Sequence, residues 1–284
     1  PLDETSILGF GIGTAHNGFI PIPEIQFLAY FHNAEDQIRG EASTLPFFSN
    51  GQFINPMVLR VPGLGYQKGF GGHFHNDNSL TIFRDIPGLV LAIPSNGADA
   101  VRMLRTAVKE AYKNGRIVIF IEPIALYMKK DLHKAKDGKW EFIYPELNDE
   151  STIGEFKPYG NGRSLTILTY GNGLYLSLQA QKEIEKKLGK KIKIIDLMWI
   201  SDINYENLLK EITPCKNILI VDECRRSGCH GEGIFTNLIL KSKMPLNIDL
   251  HAAEDSFISI GKAATVTLPS KDSIVKNALN LVNG

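Results

Sequence analysis

This sequence has few cysteines, no excess of charge of either sign and no long hydrophobic run. Three cysteines among 284 residues are too few for a disulfide-stapled domain and favour reduced thiols. The 31 basic residues balance the 31 acidic ones, which argues against nucleic acid or an acidic membrane as the dominant partner. Without a signal peptide or a bilayer-spanning run, we expect a cytoplasmic protein, or a mitochondrial-matrix protein in a eukaryote.

Several common site motifs are also missing. The sequence contains no Walker A motif, no Gly-x-Ser-x-Gly and no Gly-x-Gly-x-x-Gly after a strand. Cys224, Cys229 and His230 lie close together in the sequence. They lack a second ligand pair at a plausible spacing, so zinc is disfavoured. We therefore predict no metal site built from this chain alone.

Apolar strand-like and helix-like segments alternate along the chain and indicate two α/β domains with mostly parallel sheets. The predicted strands are Pro56–Arg60, Leu89–Ile93, Arg116–Glu122, Leu165–Tyr170, Lys191–Leu197, Asn217–Val221 and Leu246–Leu250. The predicted helices are Thr5–Gly18, Asn33–Leu45, Asn96–Tyr112, Leu174–Leu188, Tyr205–Ile212, one after Gly231, and Lys271–Val282. The polar stretch Tyr127–Gly162 reads as the interdomain connection. We expect the glycine-rich first helix to be closely packed and buried.

The stretch Gly71–Ser79 places His73 and His75 in a loop between two predicted buried strands. Such loops often carry catalytic side chains, and histidine changes charge near neutral pH. A His-x-His pair can also hold a metal. A hydrogen-bonded loop that uses both rings as polar fillers explains the residues equally well, so this stretch alone leaves its role open.

Two further positions are ambiguous from the residues alone. Glu4 precedes the first apolar helix, where a carboxylate is favourable on an exposed helix start, and this exposed role is the one the residues favour. The aromatic Tyr30 ends a mostly apolar stretch that begins at Glu24 and includes the polar Gln26. Aromatic side chains in such runs are more often core than cofactor platform.

Taken together, these stretches resemble the β subunit of 2-oxo acid dehydrogenase E1 components. The resemblance is carried by Pro1-Leu2-Asp3-Glu4 with Gly9, Pro21 to Tyr30, Asp36-Gln37-Ile38, Gly51-Gln52-Phe53, Pro56-Met57-Val58, His75, Pro87-Gly88-Leu89 and Pro94-Ser95. In the second half, it is carried by Thr169-Tyr170-Gly171, Ile195-Asp196-Leu197 and Val221-Asp222-Glu223. It covers nearly the whole chain.

The resemblance implies a transketolase-superfamily protein that uses thiamine diphosphate, with two three-layer α/β/α domains. Residues 1–145 would form the pyrimidine-binding domain, apparently without its first strand, and residues 146–284 the transketolase C-terminal-like domain. Glu4 falls on the glutamate that hydrogen-bonds the aminopyrimidine, so the resemblance gives a reason to bury it. Tyr30 falls on the aromatic that packs on this ring. His75 falls on the histidine that guides substrate and acyl transfer, and His73 lines the entrance beside it.

The sequence departs from the family pattern at two places, and the first of them bears on the expected assembly. The Gly-Asp-Gly motif that holds diphosphate and Mg²⁺ is absent from this sequence. We therefore expect these groups to be held by an α-type E1 subunit, or by an upstream fused half. A dimer of such units, served by a lipoyl-bearing E2, is the expected complex. The run His75-Asn76-Asp77-Asn78 replaces the family's usual His-Ser-Gln.

The implied activity is oxidative decarboxylation of a 2-oxo acid with acyl transfer to lipoyl, and two alternatives stay open. One is a transketolase-like enzyme that moves two-carbon units, although the Asp-Gly-Pro-Thr-His loop of the sugar-type enzymes is absent. The other is a non-catalytic assembly subunit, against which Glu4, Tyr30 and His75 argue. We expect the C-terminal domain to carry no chemistry of its own.

Overall fold

The computed structural model describes residues 2–65 and 72–284. Pro1 and Gly71, which belong to motifs discussed above, lie outside the described residues. The described chain folds around two sheets, one of three strands and one of five. Helices pack on both sheets, so the predicted α/β class with two mostly parallel sheets is confirmed.

The first sheet is parallel and consists of β1 (Met57–Gly63), β2 (Leu89–Ala92) and β3 (Ile117–Pro123), in the order β1-β3-β2. Its strands are almost uniformly apolar because both faces are covered. The amphipathic helix α3 (Gly97–Asn114) covers one face. The opposite face packs against α1 (Glu4–His16), a 3₁₀ helix (Leu28–Ala34) and a π-helical turn (Gln37–Ala42), which a short α2 (Thr44–Phe48) follows.

The second sheet has the order β4-β6-β5-β7-β8. Its strands are β4 (Lys157–Tyr159), β5 (Thr166–Thr169), β6 (Lys193–Asp196), β7 (Asn217–Arg225) and β8 (Asn247–Ala253), and only β4 is antiparallel to its neighbour. Helices α4 (Asn172–Leu188) and α7 (Lys271–Asn283) cover one face, and α5 (Tyr205–Ile212) and α6 (His230–Lys241) cover the other. The short strand β4 was not predicted.

One hydrophobic core runs through both halves of the molecule. Leu59 and Leu64 of the first half share a buried cluster with Ile195, Ile220 and Leu238 of the second. The two sheets are therefore fixed to each other by apolar burial, the main favourable contribution to folding. No helix among the described residues is both long and apolar enough to span a bilayer.

The first helix is less buried than its composition predicts. Only Leu8, Gly11 and Ala15 of α1 are buried. Phe10 is 81 % exposed, and a side chain added at Gly9 or Gly13 would meet nothing within 4 Å. The prediction of a wholly buried helix is thus wrong for this chain by itself, because one face of α1 is packed and the other is open.

The predicted interdomain connection, Tyr127–Gly162, contains β4 near its end. Its part before β4, residues 127–156, is here called the strap and contacts both domains. Trp140 is buried in the core beneath α4, with its ring centroid 5.0 Å from that of Tyr175. At the far end of the strap, Arg102 of α3 donates to Asp149 at 2.8 Å. Thr106 of α3 donates to the carbonyl of Ser151 at 2.5 Å. These long-range side-chain bonds order a segment that lacks any regular hydrophobic period.

We expect Trp140→Ala to lower the free energy of unfolding by roughly 3–5 kcal/mol, because it leaves a large cavity in the core beneath α4. Chemical denaturation followed by circular dichroism measures this loss. The matched control is Ile143→Ala in the same strap. Ile143 is 93 % exposed, so its truncation should change stability by less than about 0.5 kcal/mol. Equal effects of the two substitutions would show that the strap does not contribute to the core.

Candidate active site

Three segments of the first domain meet at one surface: the start of α1, the 3₁₀ helix Leu28–Ala34 and the loop that begins at residue 72. Asn33 joins the first two. Its side-chain amide donates to Glu4 Oε2 at 3.4 Å, and its carbonyl accepts from Thr5 Oγ1 at 2.9 Å. Asp3 caps α1 by accepting from the Ser6 amide at 3.1 Å. The Glu4 carboxylate is thereby fixed next to the turn that carries Tyr30.

Aromatic rings join the 3₁₀ helix to the loop. The His75 ring meets Phe27 edge-on at 4.3 Å and Tyr30 edge-on at 5.9 Å between ring centroids. These separations lie within the favourable range for aromatic pairs. His75 and Tyr30 are half-buried, so both keep a surface that a ligand can reach.

His73 lies at the outer side of the same group. It is exposed, and its ring lies 4.0 Å from that of Phe74. Phe74 in turn stacks on Tyr30 with ring centroids 6.2 Å apart and planes inclined by 17°. His73 is therefore an exposed member of this group of rings. Phe27 and Phe74 are aromatic members that sequence reasoning missed.

The second domain holds the loop in place. Asn78 donates to the carbonyl of Glu223 at 2.6 Å, at the end of β7. Arg84 donates to the carbonyls of Gly228 and Cys229, each at 2.8 Å. The loop that carries His75 is therefore tied to the C-terminal domain by direct hydrogen bonds, and its neighbour Asp77 continues these contacts.

Asp77 is a charged member of the loop that the sequence did not single out. It is 9 % exposed, accepts from Ser79 Oγ at 2.8 Å and pairs with Arg225 at 3.3 Å. Burial raises the pKa of Asp77, but His32, Ser79 and Arg225 outweigh burial, so the net pKa is lowered. The Asp77 carboxylate is therefore ionised at neutral pH.

This surface presents groups that suit an aminopyrimidine ring. Glu4 offers a half-exposed carboxylate for a ring nitrogen or amino group, and Tyr30 offers a half-exposed ring for stacking. Asn33 links Glu4 to the 3₁₀ helix that carries Tyr30, and Tyr30 meets the ring of His75 in the loop edge-on. The residues fit the pyrimidine half of thiamine diphosphate. Among the residues the structure describes, no three His, Cys, Asp or Glu side chains lie close enough together to hold a metal ion.

A cavity of about 670 Å³ lies on the other face of the first sheet, beside α3. Its lining includes Arg60, Asn96 and Glu122, and none of Glu4, Tyr30, His73 or His75. Arg60 there donates to Glu122 at 2.5 Å and to Glu24 at 2.7 Å. The charged groups of this cavity are thus paired with each other. The cavity is separate from the candidate site because it shares none of the four named residues with it.

The cluster around Cys224 is a buried hydrogen-bond network. Tyr170 donates to Asp222 at 2.6 Å and lies 3.5 Å from the sulfur of Cys224. Burial lowers the pKa of His230 to about 4, so this ring is neutral. Asp222 also accepts from the Gly231 amide at 2.8 Å. The network joins β5, β7 and α6 within the C-terminal domain.

Comparison with known proteins finds two family models, one along each part of the chain. Residues 1–129 match the family described as transketolase, pyrimidine binding domain, and residues 154–266 match the family described as transketolase, C-terminal domain. The pyruvate dehydrogenase E1 component subunit beta of Staphylococcus epidermidis is 28 % identical, over 98 % of this chain and 81 % of the relative. The protein of the same name in Staphylococcus aureus is 27 % identical over the same shares.

One solved structure extends the likeness to the whole fold. It is described as a split gene transketolase, inactive beta4 tetramer, and superposes with a TM-score of 0.74. The superposition covers 99 % of this chain and 81 % of that chain at 16 % sequence identity. The path of the chain through both domains is therefore that of a transketolase-type protein.

Proposed function

We propose that this chain supplies the pyrimidine side of a shared active site. The premise is that it belongs to the transketolase-type family and is of the E1 β type. The family is thiamine-diphosphate-dependent, and the reaction is oxidative decarboxylation of a 2-oxo acid. The observation that carries the proposal is the His75–Tyr30 edge contact beside the Glu4 carboxylate, on a surface open to solvent.

In this proposal each side chain has one task. Glu4 exchanges a proton with the aminopyrimidine, and Asn33 orients its carboxylate. Tyr30 packs on the ring and keeps water from its face. His75 is placed to move a proton at the substrate and to direct the acyl group towards lipoyl, while His73 lines the approach. Bound thiamine diphosphate supplies the carbon nucleophile and electron sink of the reaction.

An α-type E1 subunit is the proposed partner, and it would hold the diphosphate and Mg²⁺. The open face of α1 supports an interface there, because Phe10 is 81 % exposed and Phe19 is 65 % exposed beside it. Exposed apolar patches on folded proteins commonly mark such contacts. Phe47 and Phe48, 80 % and 79 % exposed, add further apolar surface. A dimer of α–β units and a lipoyl-bearing E2 complete the proposed complex.

The division at residues 145 and 146 belongs to the same proposal. The first part supplies the cofactor contacts, and the second part supports the loop that carries His75.

The cytoplasm, or the mitochondrial matrix in a eukaryotic cell, is the proposed compartment. Cys215, Cys224 and Cys229 are free thiols, which fits a reducing environment.

The test of the reaction class is a panel of 2-oxo acids offered to this chain co-purified with its α-type partner. Thiamine diphosphate, Mg²⁺ and a dye acceptor are supplied. We expect dye reduction with at least one 2-oxo acid, and loss of roughly 100-fold or more in kcat when His75 becomes alanine. Reduction of no acid, together with two-carbon transfer between sugars, would contradict the proposal in favour of a transketolase activity.

A further inference from the structure

The 3₁₀ helix Leu28–Ala34 and the loop that carries His75 contact each other at two places. One of them is the Tyr30–His75 contact of the candidate active site. Tyr30 meets His75 at 5.9 Å between ring centroids. Two residues further along each segment, His32 Nε2 lies 3.9 Å from Asp77 Oδ2. Each partner lies two residues beyond its counterpart in the Tyr30–His75 contact. The His32–Asp77 pair is therefore a second contact between the same two segments, next to the Tyr30–His75 contact.

Arg225 connects this second contact to the C-terminal domain. Its Nη2 lies 3.3 Å from Asp77 Oδ1, and its Nη1 donates to Ser79 Oγ at 2.7 Å. The rest of the guanidinium is fixed at the end of β7. Its Nε donates to the Ser256 carbonyl at 3.1 Å, and the group lies 5.6 Å from the Phe257 ring centroid. Such multiple contacts use the planar fork of arginine, which lysine cannot reproduce.

We propose that His32, Asp77 and Arg225 form an interdomain clamp that positions His75 against Tyr30. All three are positioning residues, since they act through the loop rather than on the reacting atoms. The clamp gives the C-terminal domain a defined part in the reaction. Its catalytic consequence rests on the proposed function, whereas its effect on the loop does not.

In the clamp one buried carboxylate is shared by two cations, of which His32 is exposed and Arg225 is half-buried. Asp77 Oδ1 faces Arg225 and Ser79, and the buried Oδ2, which has no hydrogen bond among the described residues, faces His32. Because the carboxylate itself is shielded from water, each of these opposite charges attracts it more strongly than it would a fully solvated carboxylate. Asp77 is two residues from His75, so a shift of its carboxylate would carry the catalytic ring with it.

The clamp should weaken as the pH rises. The Asp77 carboxylate, and to a lesser extent Glu35, raises the pKa of His32 above 6.5 against burial and the charge of Arg225. Protonated His32 therefore pairs with Asp77 at low pH, and the pair is lost as the pH rises through the raised pKa. An alkaline limb in kcat that disappears in His32→Gln follows from this titration.

The test uses the full chain and, for kinetics, its assembly with the α-type partner. Arg225→Met removes the charge but keeps the chain length, and Arg226→Met is its matched control. Arg226 donates to the Leu250 carbonyl at 2.8 Å and lies one residue further along the chain. We expect hydrogen exchange at the amides of residues 77–80 to accelerate about tenfold in Arg225→Met and to stay unchanged in the control.

Asp77→Asn gives a second, independent measurement. The pKa of His32, measured by histidine NMR, should fall in this variant. In Arg225→Met, kcat should fall about tenfold with KM within about twofold, because positioning rather than binding is lost. Arg225→Lys should restore only part of this loss.

Equal exchange rates in Arg225→Met and Arg226→Met, or an unchanged His32 pKa in Asp77→Asn, would overturn the clamp. Accelerated exchange in an assembly that decarboxylates no 2-oxo acid would support the clamp as a device that positions the loop and refute the proposed function. The two failures are therefore distinguishable.

Discussion

Replacing Glu4 by glutamine is expected to lower kcat of the assembled enzyme by roughly 100-fold or more. Glutamine keeps the shape of the side chain and an oxygen that can accept from Asn33, but it cannot exchange a proton with the cofactor ring. The fold should survive, because Glu4 is half-exposed and glutamine can keep its hydrogen bond from Asn33. The local cost is a small loss of helix-dipole stabilisation at the start of α1.

The kinetic assay is dye reduction at saturating 2-oxo acid and saturating cofactor, so that kcat rather than affinity is compared. The matched control is Glu41→Gln. Glu41 is an exposed carboxylate in the same helical layer, and its loss should leave kcat within about twofold. If Glu4→Gln kept the wild-type kcat, the carboxylate would have no role in proton exchange.

Asp196→Asn is expected to stabilise the protein above neutral pH. Asp196 is fully buried at the end of β6, where the Ser95 hydroxyl donates to its Oδ1 at 2.8 Å. Its other oxygen and the buried Tyr159 hydroxyl have no hydrogen bond among residues 2–65 and 72–284. Asn can still accept from Ser95 and carries no charge at any pH.

The direction follows from the pKa of this carboxyl. Burial raises the pKa of Asp196 from 3.8 to about 8, with a smaller contribution from Asp99, against the hydrogen bond from Ser95 and the charge of Lys157. Because the folded state binds this proton more tightly than the unfolded state, stability falls as the pH rises from about 4 to about 8. The loss across the window amounts to several kcal/mol.

Thermal unfolding of both proteins between pH 5 and pH 9 measures this difference. The advantage of Asp196→Asn should be small at pH 5 and grow until about pH 8, then level off. Asp85→Asn is the matched control, since Asp85 is exposed and its loss should leave the pH dependence of Tm unchanged. Parallel curves for wild type and Asp196→Asn would show that Asp196 does not carry a proton in the folded protein.

The sheets could be predicted because their signal is local. Segments such as Arg116–Glu122 are continuous apolar runs, and a run of this length between helical segments indicates a strand buried on both faces. The predicted helix Leu174–Leu188 ends at the same residue as α4, where Gly189 follows with a φ of 64° that suits glycine. Composition did not reveal β4, which has three residues and contains Pro158.

Contacts between distant residues could not be predicted in the same way. The strap is held by hydrogen bonds from side chains of α3, such as Arg102, to its own polar groups. Hydrogen bonds of this kind leave no hydrophobic period in the sequence. The open face of α1 was predicted as buried, since composition reports apolar residues but not whether this chain or another one covers them. Phe10 is the clearest case.

The residues of the candidate site likewise differ in whether the sequence could indicate them. The resemblance indicated Glu4, Tyr30, His73 and His75. The residues alone left the two histidines open, and they favoured an exposed helix start for Glu4 and a core position for Tyr30. His32, Asp77 and Arg225 are far apart in the sequence and share no spacing. The one available signal was the departure from His-Ser-Gln at residues 75–78, where an aspartate stands in place of a neutral side chain.

A calorimetric titration of thiamine diphosphate with Mg²⁺ into the assembled α–β protein tests the central claim most directly. This chain alone, the assembly, and the assembly that carries Glu4→Ala are compared. We predict saturable binding by the wild-type assembly, with affinity lost in the Glu4→Ala assembly and little binding by the chain alone. No binding by a well-folded wild-type assembly, or equal binding with Glu4→Ala, would contradict the claim that this chain provides the pyrimidine side of the site.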